Sequence, residues 1–323
     1  PFSTLQYTGG VNSVDAIAKY KWMIDADSVG NTINLNYNYR TPGNHTLRFI
    51  ITTINGCVDT ASKAIIVDSI ETNFALSPVK FCGSGTVNFT NLSTNFSAID
   101  NYAWTFGDGN TFTGTSIPHT YAAPGFYSVK LIGTTINGCK DTTNYIDTVK
   151  VFNVPTASIT GATINCLKPL STLQYTGGVI SVEPIAKYKW MIDADSVGNT
   201  KNLNYDYRTP GNHVLRFIIT TINGCVDTVS KNIIVDSVET DFALAPAKFC
   251  DTGTVSFNNL TTSFSPITNY LWNFGDGATY TNIDTAHKYW APGLYTVKLF
   301  VTNTNGCKDT TIYADTVKVY NLP

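Results

Sequence analysis

Apolar and polar residues alternate along this chain with a period of two. Tyr127, Val129 and Leu131 alternate with Ser128 and Lys130, and Tyr295, Val297, Leu299 and Val301 repeat the pattern. That period predicts strands with one buried face, and no stretch sustains a helical period. Gly107-Asp108-Gly109 and Gly275-Asp276-Gly277 sit between such runs and predict hairpin turns, because glycine accepts positive φ. Short strands punctuated by turn signals about every 8–12 residues predict β-sandwiches.

A repeat sets the organisation. Residues 3–10 recur unchanged at 171–178, an offset of 168 that runs on to the last residue. Each 168-residue unit is itself a weaker duplication. Tyr-x-Trp ends at Trp22, Trp104, Trp190 and Trp272, and Asn-Gly-Cys ends at Cys57, Cys139, Cys225 and Cys307. Pro-Gly recurs at Pro42, Pro124, Pro210 and Pro292 in the same 82, 86, 82 steps. Length alone would suggest two or three domains, but the repeat predicts four modules: 1–70, 71–154, 155–238 and 239–323. The connectors near 68–72, 153–156 and 236–240 contain no glycine, so they do not read as flexible tethers. Sandwiches whose termini lie at opposite ends add end to end, which predicts an extended rod growing by roughly 35–40 Å per module.

Composition narrows the class. With 21 Lys+Arg against 23 Asp+Glu and a net charge of −2, the chain lacks the basic field that nucleic-acid binding requires. No apolar run approaches the ~18 residues that span a bilayer, so membrane insertion is not expected. The chain opens on Pro1 with no charged-then-apolar leader, so no targeting segment is expected in this stretch. There are 47 Thr, 31 Asn and 20 Ser but three Glu, a polar set suited to strands and turns.

Tyr102-Ala103-Trp104-Thr105-Phe106-Gly107-Asp108-Gly109, followed by His119-Thr120-Tyr121-Ala122-Ala123-Pro124-Gly125-Phe126-Tyr127, resembles the PKD (polycystic kidney disease) domain, and Tyr270 and His287 open the same two stretches in the fourth module. The resemblance implies an all-β, immunoglobulin-like sandwich in which Trp104 and Trp272 pack between the sheets and Asp108 and Asp276 brace their turns. In modules one and three, Met23-Ile24-Asp25-Ala26-Asp27 replaces the stretch 105–109, and His45 replaces Tyr127. Trp22 and Trp190 keep register there, so these read as divergent PKD-like or Ig-like modules. Tandem modules ending in Asn-Gly-Cys-x-Asp-Thr are also similar to the repeat regions of secreted Bacteroidota surface adhesins of the SprB gliding-motility type. That likeness implies type 9 secretion and display on the outer surface of a Gram-negative cell. The partners it implies are anchoring or motility machinery, and glycans or proteins of the substratum reached through other regions of the protein.

The seven cysteines suggest a pairing by arithmetic. Cys82 lies 57 residues before Cys139, Cys250 lies 57 before Cys307, and Cys166 lies 59 before Cys225. Pairing within modules would leave Cys57 over, its partner expected three residues before Pro1, as in a fragment of a longer array. The rival pairing joins neighbouring modules as Cys57–Cys82, Cys139–Cys166 and Cys225–Cys250. It would have to cross about a module length, far beyond the ~7 Å Cα limit. Simple strand reversal puts the two cysteines of one module at different ends, so the favoured pairing needs a crossing segment. Either pattern predicts an oxidising, extracellular location.

Catalytic chemistry is not signalled. His45, His119, His213 and His287 have no Cys or Glu neighbour at metal-ligand spacing and read as polar corner residues. There is no nucleophile elbow, paired-carboxylate motif or phosphate loop, so no enzyme is expected and no cofactor is required. Calcium is the one cofactor candidate. Asp25-x-Asp27-x-x-Gly30, repeated from Asp193, opens like an EF-hand loop, but Val29 and Asn36 stand at ligand positions. Thr105 and Asn273 stand where calcium-binding PKD domains place a carboxylate. Asp followed by Ser or Thr and then an apolar residue or Thr resembles the Bacteroidota O-glycosylation sequon. It occurs at Ser28, Thr60, Ser69, Thr142, Thr148, Ser196, Thr228, Ser237, Thr285, Thr310 and Thr316, where eleven of twenty Asp open it. The same dipeptide also suits plain turns. The expected function is a non-enzymatic, load-bearing stalk segment of a cell-surface adhesin. The alternative is a carbohydrate- or protein-binding array on a secreted hydrolase, with Tyr37, Tyr39, Tyr205 and Tyr207 as a sugar platform.

Overall fold

The computed structural model describes residues 4–168 and 172–322, and among these no helix occurs and none could cross a membrane. The strands assemble into sandwiches of one shorter and one longer sheet. In residues 71–152 the shorter sheet is built from Phe74–Ser77, Gly85–Asn91 and Ile117–Tyr121. The longer one orders Thr111–Thr113, Ile99–Thr105, Gly125–Thr135, Lys140–Phe152 and Lys80–Cys82. The same plan recurs in residues 155–236 and 238–320. In the first module the described residues give a two-stranded sheet, Thr4–Thr8 with Asn34–Asn38, and a four-stranded one ending on Val58–Val67.

In each of the three five-stranded sheets all pairings are antiparallel except one. The three-residue strand carrying the early cysteine runs parallel to the end of the module's last strand. Lys80–Cys82 lies beside Lys150 to Phe152, Ile164–Cys166 beside Ile234 to Asp236, and Lys248–Cys250 beside Lys318 to Tyr320. This register carries Cys82, Cys166 and Cys250 to the exit pole, where the chain leaves the module. Asn-Gly-Cys is the tight turn between the last two long strands, at the entry pole. Gly306 holds φ +80, its amide donates to the Asn303 carbonyl (3.0 Å), and the Cys307 amide donates to Asn303 Oδ1 (3.0 Å).

Each sandwich closes on its own aromatic core. Trp104, Trp190 and Trp272 are fully buried and Trp22 nearly so. Burial obliges the indole N–H to find a partner. Each takes the carbonyl ten residues on: Thr32 (2.9 Å), Gly114 (3.0 Å), Thr200 (2.9 Å) and Asn282 (3.0 Å). One side chain thus fills the core and ties the hairpin that follows to it. Trp104 packs edge-on against Phe74 of the opposite sheet (5.0 Å), and Trp272 does the same with Phe242 (5.1 Å).

Replacing Trp104 with Ala removes this fill and this tie, and is expected to cost about 3–5 kcal/mol. Hydrogen exchange should show that loss in Ile99–Thr105 and Gly125–Thr135, with protection of Ile185–Ile192 and Gly211–Thr221 unchanged.

Candidate functional site

The polar groups that the repeat places together lie at the poles of the modules. The turn after the tryptophan is one cluster. Asp108 Oδ1 accepts the Asn110 amide (3.0 Å) and its Oδ2 meets His119 Nε2 (2.8 Å); Asp276 accepts the Ala278 amide (3.0 Å) and meets His287 Nε2 (2.6 Å). Burial pushes both acids up, and the hydrogen bonds from the turn and the histidine outweigh it, so each is held below the usual carboxylate value. Gly107 is needed beside Asp108, since at φ +85 an added Cβ would meet the Ser128 carbonyl at 2.5 Å.

Modules one and three solve the same turn differently. Asp25 and Asp193 occupy the Gly107 place, at φ 52 and 54, a region that Asp enters more easily than most residues. Their Oδ1 atoms accept the Thr46 and Val214 amides (2.8 and 2.9 Å), and their Oδ2 atoms meet Nδ1 of His45 and His213 (2.8 Å each). His45 Nε2 reaches the Thr41 carbonyl four residues back (3.3 Å), as Tyr127 Oη reaches Ala123 (2.8 Å). The histidines read as corner residues are therefore all aspartate-paired, and the carboxylates of the EF-hand-like Asp25 and Asp193, though half-exposed, are engaged by them. No group of three or more potential metal ligands occurs among the described residues. Thr105 and Asn273 lie on the strand before the turn, and Asn273 Oδ1 accepts the Gly275 amide (3.0 Å).

The second cluster joins consecutive modules. Asp68, at the exit of the first module, accepts from the Ser97 amide (3.1 Å), Thr135 Oγ1 (2.6 Å) and Asn137 Nδ2 (3.1 Å) of the second. Asp236, fully buried, does the same with the Ser265 amide (3.3 Å) and Asn305 Nδ2 (2.7 Å) of the fourth. The donors Asn137 and Asn305 are the asparagines of Asn-Gly-Cys. Asp141 and Asp309, of Cys-x-Asp-Thr, take the entering chain through the amide and hydroxyl of Thr72 (2.7 and 2.9 Å) and Thr240 (2.8 and 2.9 Å).

A disulfide lies in the same place. Cys166 and Cys307 are bonded, Cα to Cα 5.5 Å, across 141 residues. This overturns both expected pairings. Cys166 is not joined to Cys225, nor Cys307 to Cys250, and Cys57, Cys139 and Cys250 are free, so Cys82–Cys139 and the rival Cys57–Cys82, Cys139–Cys166 and Cys225–Cys250 bonds do not form either. Cys82 and Cys225 each belong to a disulfide, and neither is a free thiol. The reason is the parallel strand. Cys166 faces Asp236 at one end of the eleven-residue strand Val226–Asp236, and Cys225 precedes its other end, roughly 30 Å away. No crossing segment brings them together. The next module's turn, held by Asp236 through Asn305, puts Cys307 within reach instead.

The structure also places the remaining candidates. Thr60, Thr142, Thr228 and Thr310 are exposed on the last strands, as are Ser28 and Ser196 near the tryptophan turn, whereas Ser69, Thr148, Ser237, Thr285 and Thr316 are half-buried. Several of the aspartates that precede them have structural work: Asp68, Asp141, Asp236 and Asp309 as above, and Asp147 and Asp315 at φ 48 in bulges of the last strand. Tyr39 and Tyr207 are core residues, leaving Tyr37 and Tyr205 half-exposed, so a four-tyrosine sugar platform does not form.

The PKD domain family matches residues 73–151 and 239–319. Two stretches of the chain thus match the PKD domain, and the all-β sandwich plan of those stretches recurs in residues 155–236. Among solved structures it is similar to three N-terminal domains of the Hoc capsid protein of bacteriophage RB49, at 10% identity over 79% of this chain and 100% of that one, TM-score 0.37. It is similar to Sidekick-1 immunoglobulin domains 1–4 at 11% identity over 100% and 95%, TM-score 0.34, and to a Ca²⁺-stabilized, ice-binding adhesin of an Antarctic bacterium at 11% over 98% and 93%, TM-score 0.30. No curated protein matches the chain.

The Asp68 clasp has a pH signature. Burial pushes this carboxyl up, but the hydrogen bonds from Thr135, Ser97 and Asn137 prevail and hold it at about 2. A depressed acid contributes stability above its unfolded pKa of ~3.9 and loses it as pH falls through the folded value. The Asp68 carboxyl carbon should therefore titrate by NMR near 2, and protection of the Ser97 amide should be lost between about pH 4 and 2. Asp68→Asn should show neither transition.

Proposed function

We propose that this chain is a non-enzymatic, load-bearing stalk segment of a secreted cell-surface adhesin, of the gliding or attachment type displayed through type 9 secretion on a Gram-negative outer surface. The observation that carries the reading is the Cys166–Cys307 bond between consecutive modules. A pull on the two ends of the polypeptide passes from Cys166 across the sulfur bridge to Cys307. The bridge closes residues 167–306, most of two sandwiches, into a covalent loop. Stable disulfides belong to an oxidising compartment, in keeping with an extracellular place. The asparagine–aspartate clasps at Asp68 and Asp236 add a non-covalent restraint at each of their junctions, and the modules in series hold a binding region away from the cell. Six hydroxyls of the Asp-Ser/Thr set are exposed on this surface and serve as O-glycan acceptors.

Single-molecule pulling from the two termini tests the load path. In reducing buffer the fully unfolded chain should gain at least the 141 residues of contour that the Cys166–Cys307 bridge closes, roughly 500 Å at ~3.6 Å per residue. Equal extensions before and after reduction would remove the mechanical argument. Intact mass of the natively secreted protein tests the glycans. A mass above that of the bare chain, mapped to Thr60, Thr142, Thr228 or Thr310, is expected, and a bare-chain mass eliminates them.

A further inference from the structure

Three cysteines among the described residues are free, yet each has a repeat partner that is not. Cys57 corresponds to Cys225, Cys139 to Cys307 and Cys250 to Cys82 at the 168-residue offset, and Cys225, Cys307 and Cys82 are all disulfide-bonded. Surroundings correspond as well as positions. Cys250 ends a three-residue strand parallel to the module's last strand, opposite Tyr320, as Cys166 ends one opposite Asp236. Cys139 follows a turn in which its amide donates to Thr135 Oγ1 (3.2 Å), as the Cys307 amide donates to Asn303 Oδ1. Asn137 in that turn already holds the Asp68 clasp, so the turn faces the preceding module as the Cys307 turn does.

We infer that Cys139 and Cys250 are open halves of inter-module staples built on the Cys166–Cys307 plan. Each awaits a thiol on an adjoining module of this same repeat. Cys250, exposed at the exit pole of its module, takes the Asn-Gly-Cys thiol of a module docked there. Cys139, at an entry pole, takes the early-strand cysteine of the module on which it sits. Because the Cys166–Cys307 bond skips from the early strand of one sandwich to the late turn of the next, a staple built on that plan spans a junction and does not lie within a module. Its formation balances as a thiol–disulfide exchange with a small-molecule disulfide as oxidant. The Cys250 thiolate displaces glutathione thiolate from a mixed disulfide on the turn cysteine. Overall, two protein thiols give up two electrons and two protons, and one glutathione disulfide becomes two glutathiones. The inference stands on the equivalence of the cysteines and does not depend on the stalk reading.

The test supplies the missing partners to the full chain. In one variant, residues 156–238 are repeated after Pro323. In a second, residues 155–168 are repeated before Pro1. Both are refolded in a glutathione redox buffer, alkylated and mapped without reduction, with the Cys166–Cys307 peptide as the internal standard of correct folding. The first variant should yield a peptide joining Cys250 to the added copy of Cys225, and the second a peptide joining Cys139 to the added copy of Cys166. In each, alkylation of the stapled thiol should be lost, while in the unextended chain both thiols react. If Cys139 and Cys250 stay alkylatable in extended chains that carry the Cys166–Cys307 peptide, or if either bonds within its own module, the inference is wrong. Should one variant fail to fold, the other decides the matter for its own cysteine.

Discussion

A sandwich whose last strand runs the full length of the module delivers the chain at the pole opposite to the one it entered. Everything else about these modules follows from that. The early cysteine is set on a short strand parallel to the end of the last one, so it is fixed at the exit pole. The late cysteine terminates the turn that begins the last strand, so it is fixed at the entry pole. The two cannot meet inside one module, and a stacked neighbour brings complementary poles together. In the chain-entropy picture, closing a loop of 141 residues stabilises by about 5 kcal/mol. Here that constraint falls on the junction between domains and not on either core.

The junction is also where the scarce charged residues are put to use. Asp236 is fully buried and hydrogen-bonded by the next module's Asn305, two residues before Cys307. The same turn therefore receives the clasp and forms the disulfide. A buried carboxylate is tolerable only with its partners in place, so the clasp selects one docking geometry, and the disulfide fixes it covalently. The Asp68 junction repeats the clasp with Asn137. At the other turn, Gly107 with Asp108 and His119, or Asp25 with His45, satisfy one requirement: a residue at positive φ and an aspartate carboxylate held by a histidine. Two local sequences reach the same turn, which is why alternate modules look divergent while Trp22 and Trp104 keep identical jobs.

Some of this was legible in the residues and some was not. Alternation at Tyr127–Val129–Leu131 marked a strand with one buried face, and Tyr-x-Trp marked the core, because both are local consequences of side-chain direction. The cysteine spacing was misleading for a definite reason. In a repeat every connectivity, right or wrong, has a constant separation, so the regular intervals of 57 and 59 carried no information about pairing. The useful signal was strand reversal, which already put Cys166 and Cys225 at different ends of their module. The Asp-Ser and Asp-Thr dipeptides were ambiguous for a similar reason. A short carboxylate beside a hydroxyl suits a turn, a clasp or a glycan acceptor, and only the surroundings separate Asp68 and Asp236 from Asp59.

The sequence by itself determined the all-β class, the four-fold repeat and the buried tryptophans, because periodicity and local turn chemistry act within a few residues of where they are read. Tertiary structure alone decided which cysteines meet, which aspartates clasp a neighbour and which tyrosines are core. Those outcomes depend on the parallel registration of a three-residue strand against one about 70 residues later, and on how one sandwich seats upon the next. Such distances in space leave no periodic trace along the chain.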